Sequence, residues 1–174
     1  MMYLVLVYPK ISTDDYDFIQ RYRKAHDPKY FSVVKPHFTI VFATSNIVEK
    51  VFVDEIKEQS KGIRKFDFEI KCATLNQDDS GDYYHEFLVP DRGYSNIVKL
   101  HDKLYSGKLY GNLRFDIDFI PHIGIGNSED GKACKKRIDA LNSNDLEIKG
   151  LVDVLDIVAY ENNRITTIER VQLS

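Results

Sequence analysis

Two pentapeptides constrain this chain more than any other feature: PHFTI at residues 36–40 and PHIGI at residues 121–125. Each opens on proline, which suits the first position of a strand because its missing N–H costs least there. Each then runs histidine, apolar, small, apolar. Five prolines and five histidines in 174 residues would give about 0.14 Pro-His pairs by chance. Two occur, with the histidines 122 − 37 = 85 positions apart. The pair reads as one structural unit used twice.

The flanking sequence repeats the same order of elements. Residues 3–8 form an apolar strand. The stretch STDDYDFIQRYRKAH reads as a helix with Ser12 or Thr13 as its cap, acids in the first turn and bases in the last, the charge order that suits the helix dipole. A strand runs from Pro36 to about Ala43. Asn46 with Glu49 makes a capping-box-like start to a second helix whose apolar face is Ile47, Val48, Val51, Phe52 and Ile56. Phe66, Phe68 and Ile70 alternate as a strand, and NQDDSGD is a turn.

The second half repeats this with a strand at 83–89, a helix marked by Ile97, Leu100 and Leu104, and the strand 121–126. Asn127 or Ser128 would cap the next helix, which buries Ala133, Cys134, Arg137 (by its stem), Ile138 and Leu141. LVDVLDIVAY and RITTIERVQL close the chain as a hairpin around ENN. The pattern predicts an α+β fold: one two-lobed domain over residues 1–174, built from approximate repeat halves 1–78 and 83–174. Two pseudo-symmetric lobes of antiparallel sheet, with helices packed outside, would enclose a central cleft.

Strand periodicity assigns the faces. His37, Thr39 and Val41 point one way, and Phe38, Ile40 and Phe42 form the core side. The same parity groups His122, Gly124 and Gly126 against Ile123 and Ile125. Pseudo-symmetry would bring the two histidine faces together. The plainer alternative is two ordinary strand histidines with satisfied ring nitrogens.

Charge limits the partners. The formal net charge is −3 and the pI about 6.0, which argues against a broad grip on duplex nucleic acid and leaves room for a local basic pocket. Cys72 and Cys134 lie in no metal-ligand spacing, as expected of a reduced intracellular protein. The apolar run MMYLVLVYPK lacks a basic leader and a small-residue cleavage site and is stopped by Pro9. No stretch reaches the roughly 18 apolar residues of a membrane helix. A cytoplasmic protein with no membrane partner is expected; the pattern does not indicate an oligomeric state.

The two motifs resemble those of the 2H phosphoesterases, which include RNA 2′,3′-cyclic phosphodiesterases and the proteins called 2′-5′ RNA ligases. That family carries two His-x-Thr/Ser-x motifs, with apolar x, in two pseudo-symmetric α+β lobes. HFTI matches fully; HIGI departs at its third position, where Gly124 replaces the hydroxyl residue. The resemblance covers nearly the whole chain in topology. It implies a phosphodiesterase acting on a 2′,3′-cyclic phosphate or related cyclic phosphodiester of a small nucleotide or RNA end. His37 and His122 would be its acid–base pair, with no metal and no cofactor. Histidine can do either job near pH 7, and the Thr39 hydroxyl can bond a non-bridging phosphoryl oxygen. Gly124, within the second motif, and Lys35, beside the first, are the further substrate-binding candidates; Lys71, Arg92 and Arg114 are possible phosphate contacts that nothing singles out. His26 and His101 lie on expected helices in structural roles. His85 shares a face with Tyr83 and Phe87 and reads as core or outer face. Because Gly124 lacks the hydroxyl, the competing function is a nucleotide- or RNA-end-binding module with weak or lost catalysis.

Overall fold

A computed structural model describes residues 1–78 and 81–174. Its elements run β1 (Met2–Val7), β2 (Lys10–Ile11), α1 (Thr13–His26), β3 (Phe38–Thr44), α2 (Glu49–Ser60), β4 (Phe66–Gln77), β5 (Tyr84–Arg92), α3 (Tyr94–Leu104), a 3-10 turn (Tyr110–Asn112), β6 (Ile123–Ser128), α4 (Gly131–Asn142), β7 (Ile148–Val152), β8 (Val154–Glu161) and β9 (Arg164–Gln172). The strands form two antiparallel sheets, in the orders β3-β1-β8-β9 and β2-β7-β4-β5-β6. The fold is the expected α+β class. Each histidine motif sits on an edge strand, β3 in one sheet and β6 in the other. The turn expected at NQDDSGD falls in part on residues 79 and 80, outside the described residues.

Local chemistry sets the helix ends. Ser12 caps α1, accepting the Asp15 N–H at 3.1 Å, and the acids and bases lie at opposite ends as the dipole prefers. The second helix starts later than the Asn46–Glu49 pair suggests: Val48 takes the N-cap position, with no side-chain cap. The cap of α4 is Asp130, which accepts the Ala133 N–H at 3.0 Å, and not Asn127 or Ser128. Both of those are still held in the sheet, paired with His85 and Tyr84, so the helix cannot begin until the ladder ends. Ser128 instead accepts the Asp130 N–H at 3.0 Å.

The stretch LVDVLDIVAY, expected as one strand, is two strands in different sheets. Asp153 breaks it: its carboxylate meets Lys10 Nζ, and its carbonyl accepts the Leu173 N–H at 2.8 Å. The final hairpin turns at Asn162 and Asn163, with φ of 51° and 60°, a conformation Asn tolerates better than most residues.

The core joins the sheets to their helices through Phe38, Phe52, Phe68, Ile19, Ile56, Ile97 and Leu104, none more than 1% exposed. Burying each such side chain stabilises the fold by about 1.5–3 kcal/mol. Phe38 and Phe68 meet edge to face at 5.1 Å, which ties the first histidine strand to the opposite sheet. The helices cross over as well: α1 packs on β6, and α3 packs on β3. Among the described residues no helix is long and apolar enough to cross a membrane.

Both histidine strands carry a bulge at the same offset. Leu6 faces Thr39 and Val5 faces Val41, leaving Ile40 as the extra residue; Phe87 faces Gly124 and Glu86 faces Gly126, leaving Ile125. A bulge inverts the side-chain alternation beyond it, which corrects the simple parity reading. Val41 turns into the core at 0% exposure, away from His37 and Thr39. Phe42, expected in the core, is half-buried against His101 and Phe119. Gly126 still lines the cleft beside His122 and Gly124 by its backbone, but a Cβ there would point away, 2.8 Å from the Glu86 carboxyl carbon.

Candidate functional site

A cavity of about 320 Å³ opens between the sheets. One wall is β1 and β3, through Leu4, Leu6 and Thr39; the other is β5 and β6, through His85, Phe87 and Gly124. His37 and His122, each just before its strand, both line it. The two imidazoles are anchored alike. His37 Nδ1 bonds the Lys35 carbonyl at 2.7 Å, and His122 Nδ1 bonds the Ile120 carbonyl at 2.6 Å. A carbonyl only accepts, so Nδ1 carries the proton in both rings, and Nε2 is the nitrogen left for chemistry in the neutral form.

Both rings are hemmed in by protein yet keep part of their surface open. Burial pushes His37 down to about 4; the bond to the Lys35 carbonyl opposes this, and the nearby Arg23 charge adds to it. Burial also pushes His122 to about 4, against the Ile120 carbonyl bond, and charge on His37 or His85 lowers it further. The two histidines therefore feel each other's charge. His122 is held flat against Phe87, with ring centroids 3.5 Å apart and planes 15° apart.

Of the other expected binding residues, Thr39 lines the cavity and spends its hydroxyl on no recorded protein partner among the described residues. Gly124 lines it too, and a Cβ there would meet nothing within 4 Å. The Lys35 side chain is exposed and forms no part of the cavity wall; its carbonyl orients His37.

Several cavity residues had weak or no sequence signal. His85 lies in the cleft, in a row of rings with Tyr30, Tyr83 and Phe87, because β5 pairs with β6 and shares its inner face. Arg23 and Asp27 form a buried ion pair at 2.8 Å, 2% and 3% exposed. Arg23 also donates to the Val34 carbonyl at 2.9 Å, and Asp27 accepts from Asn127 Nδ2 and the Tyr30 N–H. Their i, i+4 spacing at a helix end was the only signal available. This network links α1 to β6 beneath the cavity. His101, by contrast, is structural: it bonds the bulge carbonyl of Ile40 at 2.8 Å, while Tyr105 accepts the Phe42 N–H at 3.1 Å. Together they satisfy backbone groups that the bulge releases. Among the described residues no group of three or more His, Cys, Asp or Glu is placed to hold a metal ion.

Known proteins bear on this arrangement. No curated protein matches the sequence. Solved structures match the fold across nearly the full length. They include apo LigT of E. coli (16% identity, TM-score 0.56, covering 99% of this chain and 97% of that one) and TT0787 of Thermus thermophilus (12%, 0.61, 99% and 98%). Usb1 of Kluyveromyces marxianus also matches (8%, 0.56, 96% and 97%). LigT structures complexed with 3′-AMP, ATP and NADP+ are among the similar folds. The sequence pattern of the 2′-5′ RNA ligase superfamily matches residues 9–164. With that match spanning most of its length, the chain belongs to the 2′-5′ RNA ligase superfamily, the 2H phosphoesterases.

Proposed function

We propose that this protein is a cytoplasmic, metal-independent phosphodiesterase, working as one two-lobed domain. It opens a 2′,3′-cyclic phosphate, or a related cyclic phosphodiester, of a nucleotide or RNA end. Membership of the superfamily supports a phosphoesterase role, and LigT complexes with 3′-AMP, ATP and NADP+ make small nucleotides the first ligands to test.

The observation that carries the reading is the matched pair of imidazoles. Each has Nδ1 bonded to the carbonyl two residues upstream, which leaves Nε2 for chemistry, and both rings line one shared cavity. One neutral Nε2 takes a proton from water as its oxygen attacks phosphorus. The other ring, protonated, gives its proton to the departing ribose oxygen, so one P–O bond forms and one breaks. Which histidine does which depends on which ester bond faces each lobe. Burial disfavours the charged ring, and a bound phosphate anion offsets this, raising a neighbouring imidazole by about 1–3 pH units. The Thr39 hydroxyl meets a non-bridging oxygen as charge builds there.

The alternative, a binding module with weak or lost catalysis, draws on Gly124, which supplies no hydroxyl to match Thr39. Incubation with 2′,3′-cyclic nucleotides in EDTA decides between them. Turnover lost separately in His37→Ala and His122→Ala supports the enzyme; binding without wild-type turnover supports the module.

A further inference from the structure

A second cavity, of about 290 Å³, lies against the first. The two share three side chains, His85, Phe87 and His122, whose stacked rings form a common wall. Their chemistry differs. The first is largely aliphatic and aromatic, and its cation, Arg23, is already bonded to Asp27. The second adds Asn76, Gln77, Asp78 and Asp118 to its walls. Asp118 is exposed and has no ion-pair partner recorded among the described residues. Asn76 accepts a bond from Thr74 at 2.8 Å through Oδ1, which leaves its amide N–H₂ as a donor. His85 makes no recorded hydrogen bond to protein, and its neighbours are rings: Tyr30, Tyr83 and Phe87. Lys29 sits over the Tyr83 ring at 3.9 Å and lines neither cavity.

A nucleoside cyclic phosphate held between the histidines has two arms beyond its ribose: the base and the 5′ carbon. The apolar cavity with its flat rings suits the base. The second cavity then receives the 5′ arm: the Asn76 amide can donate to a hydroxyl there, and the Asp118 carboxylate repels a second anion. Exchanging the arms does not help a second phosphate, because the apolar cavity would have to desolvate it beside a guanidinium already paired.

Resting on the phosphodiesterase reading, we propose that the second cavity is a subsite for an uncharged 5′ arm, lined by His85, Asn76 and Asp118. The substrate is then a mononucleoside 2′,3′-cyclic phosphate with a free 5′-hydroxyl, and not an RNA end, whose 5′ arm carries a phosphodiester. The test compares kcat/KM, in EDTA, for adenosine 2′,3′-cyclic phosphate with and without a 5′-phosphate. Wild type should prefer the 5′-hydroxyl compound at least tenfold, mainly through KM. Asp118→Lys should narrow or reverse that preference, Asp118→Asn should narrow it less, and His85→Phe should raise KM for the 5′-hydroxyl compound more than it lowers kcat. Equal or better use of the 5′-phosphorylated compound, or a preference unmoved by both Asp118 variants, overturns the inference and leaves the phosphodiesterase reading standing. Neither turnover nor equilibrium binding of either compound overturns both.

Discussion

Gly124→Ser should make the protein a faster phosphodiesterase. The residue occupies the place that Thr39 holds in the first motif, and the cleft is open above it: a Cβ there meets nothing within 4 Å, and its backbone is outside the left-handed region. The added hydroxyl costs no steric rearrangement, and replacing glycine within a strand stabilises by about 0.5 kcal/mol. A hydrogen bond from that hydroxyl to the charged phosphoryl oxygen contributes about 1.5–3 kcal/mol. If the bond is made in the transition state, kcat/KM rises by roughly tenfold to a hundredfold. The assay is initial-rate hydrolysis of a 2′,3′-cyclic nucleotide in EDTA, with Thr39→Ala alongside, which should lose activity by a similar factor. The serine variant should melt at or slightly above the wild-type temperature. A well-folded Gly124→Ser enzyme with unchanged or lower kcat/KM would refute the idea that the second motif lacks a catalytically useful donor.

Two further outcomes follow from the same geometry. Gly126→Ser, two residues away, should destabilise, because its Cβ would press on the Glu86 carboxylate, 0% exposed and bonded by Tyr22 and by Arg137 Nε at 2.9 Å. A loss of about 1–3 kcal/mol in urea unfolding is expected, and a neutral result would contradict the bulge at Ile125. The histidine pair should also leave a signature in acid. Burial pushes both rings down to about 4 from the ordinary 6.5, so the unfolded chain binds more protons between those values. Their contribution to stability is complete above pH 6.5 and is lost as pH falls toward 4. It is at most about 3 kcal/mol for each ring, less in proportion to the solvent each keeps. The urea midpoint of wild type should therefore drop more between pH 7 and 4.5 than that of a His37→Gln/His122→Gln double variant; parallel curves would show that the rings are not desolvated.

Much of the fold was legible because it depends on short-range chemistry. Ser12 and the charge order of α1 announced that helix, Phe66, Phe68 and Ile70 announced β4, and the paired motifs announced both histidine strands. The errors cluster where pairing with a distant strand decides the outcome. Asn127 and Ser128 look like helix caps until β5 holds them in the ladder, and Asp153 divides one apparent strand only because two different sheets claim its flanks. Val41 was placed on the wrong face because a bulge has no local sequence mark. His85 was read as core or outer face, since its position in the cleft depends on β5 pairing with β6.

The sequence by itself determined that two histidines open two equivalent strands, that the second lacks its hydroxyl neighbour, and that the chain folds into antiparallel sheets with helices. These follow from residue type, period 2 or 3.6, and repetition, all properties of neighbours along the chain. Only the tertiary structure decided that both imidazoles line one cavity with Nδ1 tied to a carbonyl. It also decided that their basicity is depressed, that Arg23 and Asp27 neutralise each other beneath them, and that His85 joins the cleft. Desolvation, ion pairing and ring stacking depend on which atoms from distant segments displace water, and a linear pattern does not encode that distance.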